Sequence, residues 1–382
     1  MKKNIWVFFW SKTAEHDVSI TSAYVVMKWL KKIPDYEVFP IYITNKGKWI
    51  YHKEFSDIKT IKDFDTKSQE LSINMWENDN KMHLLINKKW MFCNKTEITL
   101  DACFHVLHWL AWEDWSIQWL CELLEVPYVW PWILWWSTTL DKIITKDILK
   151  INNFPIVPYI HFEKWTWNIK EIEKLLKYPM FVKPYNLWSS IWISKVNNTQ
   201  ELKDAIEVAE HFSNEIIVEQ WVNNLIELNC AVYEKDWKII TSLVEQPVAN
   251  ADFLSFEEKY IISDNWWWTM TWNKKKVKIP AEIPDNKTKD IKEMATKIFK
   301  IFKLWWAPRI DFLYDEKEDN LYVNEINPIP WAMQVHLWEK SWTTQTEFFK
   351  DLIESAITQN ERRKVNIDFK SNILDHTISF MK

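Results

Sequence analysis

Oxygen-bearing side chains stand on two neighbouring strand patterns near the C-terminus. Asp311 lies in the apolar run PRIDFLY, whereas Glu325 and Asn327 lie in LYVNEIN, beyond the turn DEKEDN. Residues two apart on a strand share a face, so we expect these three side chains to converge. Hard oxygen donors in this number suit Mg²⁺, which commonly bridges nucleotide phosphates. Arg309 should share that face and stabilise charge on a transferring phosphoryl group or an oxyanion. The alternative is a surface hairpin with solvated charges.

A second set of candidates lies in the middle of the chain. Lys183 follows the apolar run PMFV and precedes the loop WSSIW at 188–192. Lys183 and Lys142 are interpreted as cationic clamps on nucleotide phosphates, although an isolated lysine is usually only solvated. Glu219 ends the strand pattern EIIVEQ, where a carboxylate can read an adenine amino group. Glu227 is close enough along the chain to reach a ribose.

Alternating strand and helix patterns must position these groups. In the first third, NIWVFF, YEVFPIYIT and FHVLHW read as strands, and VSITSAYVVMKWLKKI reads as an amphipathic helix. This βαβ order predicts a parallel sheet in an α/β protein. Residues 45–100 look like an insertion or edge region with short strands at KMHLLI and KKWMFC. The remaining chain supplies the helices TKDILKIN, TQELKDAIEVAEHF and TKDIKEMATKIFKIF and the strands PMFVKPY, IWISKV, EIIVEQ, PRIDFLY and LYVNEIN.

The glycine content is abnormal and changes how the loops are interpreted. The 382 residues include one glycine, Gly47, and 29 tryptophans, whereas about 7% usage would give roughly 27 glycines. Glycine alone adopts positive φ freely, so a protein of this size without it would lack turns and helix caps. We therefore hypothesise that most tryptophans stand at glycine positions, as a UGA codon read as glycine in some bacteria would produce. The loop with Trp188 and Trp192 would then be able to close its backbone amides over phosphates. The alternative is a tryptophan-rich protein that uses indoles as binding platforms.

The charge and cysteine content exclude several classes of protein. A net charge of −5 with 26% charged residues gives no basic surface for nucleic acid or for an anionic membrane. No apolar run reaches the length of a membrane span, and the N-terminal run MKKNIWVFFWSK reads as a first strand rather than a signal peptide. Four cysteines without CxxC pairs are typical of reduced thiols. The expected partner is a small molecule.

Two signatures carry a resemblance to a known family. The segment HWLAWEDWSIQW, residues 108–119, resembles HGxxGEDGxIQG of the D-alanine:D-alanine ligase family, with tryptophan at its four glycines. The segment RIDFLYDEKEDNLYVNEINPIPW resembles the family's second signature, with Trp331 at the glycine. AEHDVSI, LDKIITK, VKPYNLWSSIW and FEEKY extend the likeness through most of the chain. Residues from about 45 to 100 and the last thirty or so have no recognisable match.

The resemblance implies an ATP-grasp fold of the α/β (α+β) class. A Rossmann-like N-terminal domain would span 1–140, and the two ATP-grasp subdomains would span 141–221 and 222–382, the last with the metal site and a lid loop. The implied reaction is ATP-dependent ligation of two D-alanines through an acyl phosphate, which supplies the dipeptide for peptidoglycan precursors. ATP with Mg²⁺ or Mn²⁺, as two ions, a homodimer and a cytoplasmic location are implied in the same way.

The resemblance also assigns roles to residues at matching positions. The catalytic set would be Glu15, Ser189, Tyr260 and Arg309. Substrate contacts would come from His108, Lys259 and His336. ATP contacts would come from Lys142, Lys183, Trp188, Ser190, Glu219, Val222 and Glu227. Metal ligands would be Asp311, Glu325 and Asn327.

The sequence departs from the family pattern around the expected acceptor site. Pro308 and Pro328 replace the usual residues beside Arg309 and Asn327, and His336 stands about where a serine would bind the carboxylate of the second substrate. D-Lactate, D-serine or another amine therefore remains open as the acceptor, and the alternative for His336 is a structural histidine. Two further alternatives are a nucleotide-binding relative without turnover and a different amide-forming ATP-grasp enzyme.

Overall fold

A computed structural model describes the fold and most of the chain. The described residues are 2–10, 16–44, 48–51, 55, 69–75, 82–87, 96–106, 116–185, 193–248, 277–364 and 373. Within these ranges, no helix combines the length and apolar character needed to cross a membrane. Three buried cysteines, Cys103, Cys121 and Cys230, are free thiols, as predicted.

The first sheet contains seven strands in the order β6-β5-β4-β3-β2-β1-β7. Strand β1 pairs in parallel with β2 and β7, which confirms the predicted βαβ unit around helix α1. Strands β3 to β6 extend the sheet by antiparallel pairing, as consecutive strands joined by hairpins do. The predicted strand KMHLLI corresponds to β5, whereas KKWMFC lies outside the described residues. The elements are β1 (Lys3–Trp10), α1 (His16–Leu30), β2 (Tyr36–Ile43), β3 (Trp49–Tyr51), β4 (Gln69–Met75), β5 (Met82–Asn87), β6 (Thr96–Thr99) and β7 (Ala102–Val106).

The second sheet has four strands in the order β10-β9-β11-β8 and is antiparallel throughout. Three helices lead to it and two more cover it. Its own apolar core includes Ile172, Leu202, Ile206, Ile216 and Val218. The elements are α2 (Ser116–Leu123), α3 (Ile133–Leu140), α4 (Lys142–Ile151), β8 (Tyr159–Glu163), α5 (Ile169–Leu175), β9 (Met180–Pro184), β10 (Ser194–Val196), α6 (Thr199–Ala209) and β11 (Glu215–Gln220).

The third sheet carries the predicted oxygen ligands. Its strand order is β13-β12-β16-β17, also antiparallel, and a two-stranded ribbon of β14 and β15 lies beside it in the chain. The predicted strands PRIDFLY and LYVNEIN are confirmed as β16 and β17. The elements are β12 (Leu225–Lys235), β13 (Lys238–Thr241), β14 (Gln246–Pro247), β15 (Val277–Lys278), α7 (Asp285–Ile301), β16 (Arg309–Asp315), β17 (Asn320–Asn327), a 3₁₀ turn (Trp331–Gln334), α8 (Val335–Lys340) and α9 (Gln345–Arg363).

The C-terminal helix α9 joins the first and third sheets in one apolar core. The rings of Phe104 in β7 and Phe349 in α9 lie 5.9 Å apart. At the surface of this contact, Lys3 Nζ lies 2.8 Å from Glu354 Oε1. The three sheets fall within the ranges 1–140, 141–221 and 222–382, but these domain boundaries stay a prediction.

Three exposed tryptophans adopt the left-handed backbone conformation. Trp165, Trp237 and Trp342 have φ of 66°, 67° and 66°, and their exposed fractions are 80%, 69% and 84%. A bulky residue at positive φ is a conformational outlier. Their indoles are also mostly in solvent, so packing offsets little of that cost.

Each of the three occupies a turn position where glycine is the usual residue. Trp165 is the third residue of a turn closed by the Thr166 N–H donating to the Glu163 carbonyl, which with positive φ there is a type II arrangement. Trp237 is the second of two positive-φ residues in the β12–β13 hairpin, where Asp-Gly is the favoured pair. Trp342 follows α8 in a Schellman motif, because the N–H of Thr343 donates to Trp338 and that of Trp342 to Glu339.

Candidate nucleotide and metal site

The register of the third sheet gathers polar residues on one face. Asp311 in β16 lies opposite Glu325 in β17, and Arg309 lies opposite Asn327. On the other side of β16, Asn229 in β12 lies opposite Asp311. Directly opposed residues share a face, so these five side chains are neighbours. The register shifts just after Asp311, and such bulges commonly re-aim side chains beside functional sites.

Arg309 holds Asp311 through two charge-assisted hydrogen bonds. Its Nε and Nη2 donate to Oδ1 and Oδ2 at 2.5 and 2.6 Å, the fork geometry typical of arginine and a carboxylate. Burial alone would lower the pKa of the guanidinium, but Asp311, Glu245 and Glu325 together raise it above its ordinary value. Arg309 is therefore a permanent positive charge beside two further carboxylates.

The donor set on this face fits a magnesium ion better than a transition metal. Asp311 and Glu325 supply carboxylate oxygens and Asn327 supplies an amide oxygen, which are the hard ligands Mg²⁺ prefers. Among the described residues, no cluster of three or more histidine, cysteine, aspartate or glutamate side chains suits a metal ion. An ion on this face would complete its coordination shell with water or phosphate oxygens.

In the second sheet, Glu219 lies between two lysines. Lys183 in β9 pairs with Ile217, two residues before Glu219, and forms an ion pair with Glu219 Oε2. Lys146 in α4 places its Nζ 2.9 Å from Oε1. Burial alone would raise the pKa of Glu219, but the charges of Lys146 and Lys183 hold it well below its usual range. The carboxylate is therefore ionised although its side chain is only 6% exposed.

Helix α4 positions two lysines on the same side. Its N-cap residue is Asp141, whose Oδ1 accepts a hydrogen bond from the Ile144 N–H at 2.7 Å. The hydroxyl of Tyr185, just after β9, donates to Oδ2 of the same carboxylate, so the helix begins beside the second sheet. Lys142 and Lys146 are four residues apart and lie on one helical face.

His336 is buried at the start of α8. Its Nε2 lies 2.6 Å from Oε1 of Glu245, and Asn229 Nδ2 donates to Oε2 of that carboxylate at 3.1 Å. Burial would raise the pKa of Glu245, but His336, Asn229 and Arg309 lower it. Residues 332–334, just before α8, are all left-handed, which brings the backbone sharply round to this pair.

The described residues include ten of the 17 predicted site residues. Arg309, Asp311, Glu325 and Asn327 are neighbours on the third sheet, and Lys183 is close enough to sense the charges of Glu325 and Glu227. Val222 is buried just after β11 and Lys142 begins α4. The predicted residues Glu15, His108, Trp188, Ser189, Ser190, Lys259 and Tyr260 lie outside the described residues.

Sequence reasoning missed three polar residues of this region. Lys146 lies four residues after Lys142, and that helical spacing was a signal for a second lysine on the same face. Asn229 lies two residues after Glu227, and that strand spacing was a signal that the two side chains share a face. Glu245 had no such signal, since it meets Asn229 and His336 only through long-range pairing.

The arrangement is that of a known fold. The solved structure of the VanG D-Ala:D-Ser ligase from Enterococcus faecalis matches with a TM-score of 0.76 and 26% identity, covering 93% of this chain and 100% of that one. The D-alanine-D-alanine ligase from Coxiella burnetii matches with a TM-score of 0.75 and 21% identity, covering 95% and 96%. The fold is therefore the ATP-grasp fold, as predicted.

Sequence comparisons define the family. Models of the D-ala D-ala ligase N-terminus and C-terminus match residues 4–131 and 148–358. The D-alanine–D-alanine ligase of Thermosipho melanesiensis is 35% identical over 376 residues, 97% of this chain and 98% of that protein. That of Macrococcus caseolyticus is 33% identical over 379 residues, 97% and 99%. The chain belongs to the D-alanine–D-alanine ligase family.

Proposed function

We propose that the protein is an ATP-dependent ligase that joins two D-alanines into D-alanyl-D-alanine for peptidoglycan precursors. The carboxylate of the first D-alanine is phosphorylated, and the amine of the second attacks the acyl phosphate with release of phosphate. The observation that carries the proposal is the register that sets Asp311 opposite Glu325 and Arg309 opposite Asn327 in a chain of this family. Three oxygen donors on one face with a permanently charged arginine beside them support a metal and phosphate site there.

The residues of the third sheet act on the phosphoryl group. Asp311, Glu325 and Asn327 would hold one or two Mg²⁺ or Mn²⁺ ions, which supply charge neutralisation for the phosphates. Arg309 donates two of its five N–H groups, those of Nε and Nη2, to Asp311. When Asp311 binds a metal ion, we expect Arg309 to turn its guanidinium to the transferring phosphoryl group, where charge develops.

Residues of the second sheet, of helix α4 and of strand β12 bind the nucleotide. Lys142 and Lys183 clamp the phosphates, and Glu219 accepts a hydrogen bond from the adenine amino group. Val222 packs beside the base and Glu227 reaches the ribose. Trp188, Ser189 and Ser190 belong to the loop over the phosphates. Glu15 and Tyr260 complete the catalytic set with Ser189, and His108 and Lys259 contact the substrate.

The acceptor is the part of the proposal that depends on His336. A histidine whose Nε2 is engaged by a buried glutamate has less capacity to bind a free carboxylate than a serine hydroxyl has. We propose that His336 lines the acceptor pocket and that Glu245 holds its ring in position there. We also propose that D-alanine is the acceptor. D-Serine and D-lactate are the competing acceptors, and the VanG relative is named for D-serine.

The experiment is a coupled assay of the purified protein with ATP, Mg²⁺ and D-alanine, with the products identified by mass spectrometry. We expect stoichiometric ADP, phosphate and D-alanyl-D-alanine. Parallel reactions offer D-serine or D-lactate as the only second substrate. ATP binding without any product would support the nucleotide-binding relative instead. If product formed only in the reactions that contain D-serine or D-lactate, that compound and not D-alanine would be the acceptor.

We also propose that the protein carries glycine at most of the tryptophan positions when its own host makes it. The support is conformational: Trp165, Trp237 and Trp342 are exposed and left-handed in three different turns that each favour glycine. Each such residue costs about 1–2 kcal/mol in the left-handed region when it is not glycine. Trp338 is a contrasting case, because it is fully buried in a helix with its ring 4.7 Å from that of Tyr233.

Peptide mass spectrometry of the protein from its native host tests this reading. We expect glycine in the peptides covering residues 109, 112, 115 and 119, and in those covering 165, 237 and 342, with tryptophan retained at 338. Tryptophan at all of these positions would contradict the proposed codon reading and the match of Trp109, Trp112, Trp115 and Trp119 to the family's glycines. A cytoplasmic homodimer with domains at 1–140, 141–221 and 222–382 completes the proposal.

A further inference from the structure

Lys146 is a buried lysine to which the proposed reaction assigns no role. Its side chain is 3% exposed, and lysine is almost never buried to this degree without a partner. The partner is Glu219, whose Oε1 lies 2.9 Å from Nζ, and the ring of Tyr159 lies 5.4 Å from the same ammonium. Burying two charges is costly, so a buried ion pair is by itself weak evidence of net stabilisation.

The two lysines that meet Glu219 differ in what else they face. Lys183 is 18% exposed and senses the carboxylates Glu325 and Glu227 on the metal side. It is also the lysine proposed to clamp the nucleotide phosphates. Lys146 approaches the other carboxylate oxygen from helix α4. When Lys183 binds a nucleotide phosphate, its interaction with Glu219 weakens. Lys146 then remains as the ion-pair partner of Glu219.

We propose that Lys146 is a positioning residue for the nucleobase. It fixes the rotamer and the charge of Glu219, so that the carboxylate presents an acceptor to the amino group of adenine. Guanine carries a carbonyl oxygen at the same ring position, and that oxygen would face a carboxylate. Lys146 thereby makes the site select adenine over guanine. This inference rests on the proposed ATP site.

The electrostatics of Glu219 agree with this role. Burial would raise its pKa, and only the two lysines reverse that effect. Without Lys146, Glu219 would face only Lys183, which is shared with the nucleotide phosphates. Glu219 would then take up a proton more readily and become a hydrogen-bond donor, which suits the guanine carbonyl. The adenine preference should therefore weaken when Lys146 is removed, even if the protein remains folded.

The test measures nucleotide affinity by calorimetry in the full-length, glycine-containing protein and in its Lys146→Met variant. We expect the Kd for ATP to rise roughly tenfold while the Kd for GTP stays the same or falls, so the preference for ATP drops at least tenfold. Lys150→Met is the matched control, because Lys150 lies one turn further along α4 and is exposed. The KM for D-alanine should not change in either variant.

A double-mutant cycle separates positioning from a merely structural role. If Lys146 acts through Glu219, the Lys146→Met change should have little further effect on ATP affinity in a Glu219→Gln background. Lys146→Gln, which keeps a hydrogen-bond donor, replaces Lys146→Met if circular dichroism shows that the latter is unfolded. It should retain part of the ATP preference.

The outcomes distinguish this inference from the proposed function. A parent protein that binds no ATP contradicts both. A parent that binds ATP, with a Lys146→Met variant that keeps its ATP-to-GTP ratio or loses both nucleotides equally, overturns only the role of Lys146. Additive effects in the cycle would overturn it as well.

Discussion

At the scale of single residues, the charge on Arg309 is shared among three carboxylates. Asp311 takes both of its hydrogen bonds, and Glu245 and Glu325 act on it through space. The guanidinium therefore binds Asp311 in this structure and is able to bind the phosphoryl group during the proposed reaction. A residue in such a position can change partners without changing its own charge.

The first prediction concerns Asp311. Replacing Asp311 with asparagine removes the negative charge and one of the two oxygens that face the metal ion and Arg309. We therefore expect kcat to fall by at least about 100-fold, on the scale of losing one transition-state contact. The measurement is ATP turnover against Mg²⁺ concentration, where the variant should require more metal. Glu318→Gln is the control, because Glu318 is an exposed carboxylate in the β16–β17 turn. An unchanged metal requirement would contradict the assignment of Asp311.

The second prediction concerns Glu245. A Glu245→Gln variant keeps the shape of the side chain but removes the charge that holds His336. We expect the KM for the second D-alanine to rise roughly tenfold, while the KM for ATP stays within about twofold, since 1.4 kcal/mol corresponds to a tenfold change. The control is Glu339→Gln, because Glu339 is exposed and lies in α8, the helix that contains His336. Equal rises in both KM values would point to a general loss of structure.

The sequence predicted the convergence of Asp311, Glu325 and Asn327 because the information for it is local. Asp311, Glu325 and Asn327 lie on two strands joined by a short turn, so strand periodicity and one hairpin bring them together. Glu245 and His336 are 91 residues apart and meet only after the third sheet and α8 have packed. No periodicity encodes such a pair, and the same reason hid the contact between Lys146 and Glu219.

At the scale of elements, patterns of apolar residues predicted most strands and helices, whereas the turns were obscured. Strands β1, β2, β9, β11, β16 and β17 and helices α1, α6 and α7 match their predicted segments within a few residues. The turn signals are glycines in ordinary proteins, and tryptophan at those positions suggests buried core instead. The backbone angles and hydrogen bonds around Trp165, Trp237 and Trp342 identify these positions as turns.

The third prediction tests a helix end. Replacing Trp342 with glycine should raise the free energy of unfolding by about 1–2 kcal/mol, because glycine occupies the left-handed position after α8 without strain. The measurement is urea unfolding of both full-length forms. Trp338→Gly is the opposed control. It empties a fully buried site beside Tyr233 and Phe348 and should lower the same quantity by about 3–5 kcal/mol.

Equal destabilisation by both substitutions would contradict the conformational argument. It would mean that the indole of Trp342 contributes contacts that outweigh the cost of its backbone. At 84% exposure, few such contacts are open to it.

At the scale of the whole molecule, buried ion pairs link stability to pH. The pKa of Glu219 is lowered in the folded protein, so the unfolded chain binds a proton more readily at this position. The stabilisation is complete above the unfolded value of about 4.3 and is lost as the pH falls below it.

The fourth prediction follows from this linkage. We expect the contribution of Glu219 to the free energy of unfolding to decline by about 1.4 kcal/mol per pH unit below pH about 4.3. Urea midpoints measured from pH 6 to pH 3 check it. A Glu219→Gln variant should show a shallower decline, and an identical slope in both proteins would show that the Glu219 carboxylate is not the linked group.

The path of the chain through the core has a consequence for its synthesis. The first sheet buries β7 against α9, and the ring contact between Phe104 and Phe349 joins residues that are far apart in the sequence. Domains usually fold in order as they leave the ribosome. The N-terminal sheet of this protein receives this covering helix only after residues Gln345–Arg363 have been synthesised. A ribosome that stalls before α9 would therefore display an apolar sheet face to the cell, and the nascent chain would depend on chaperones for as long as the pause lasts.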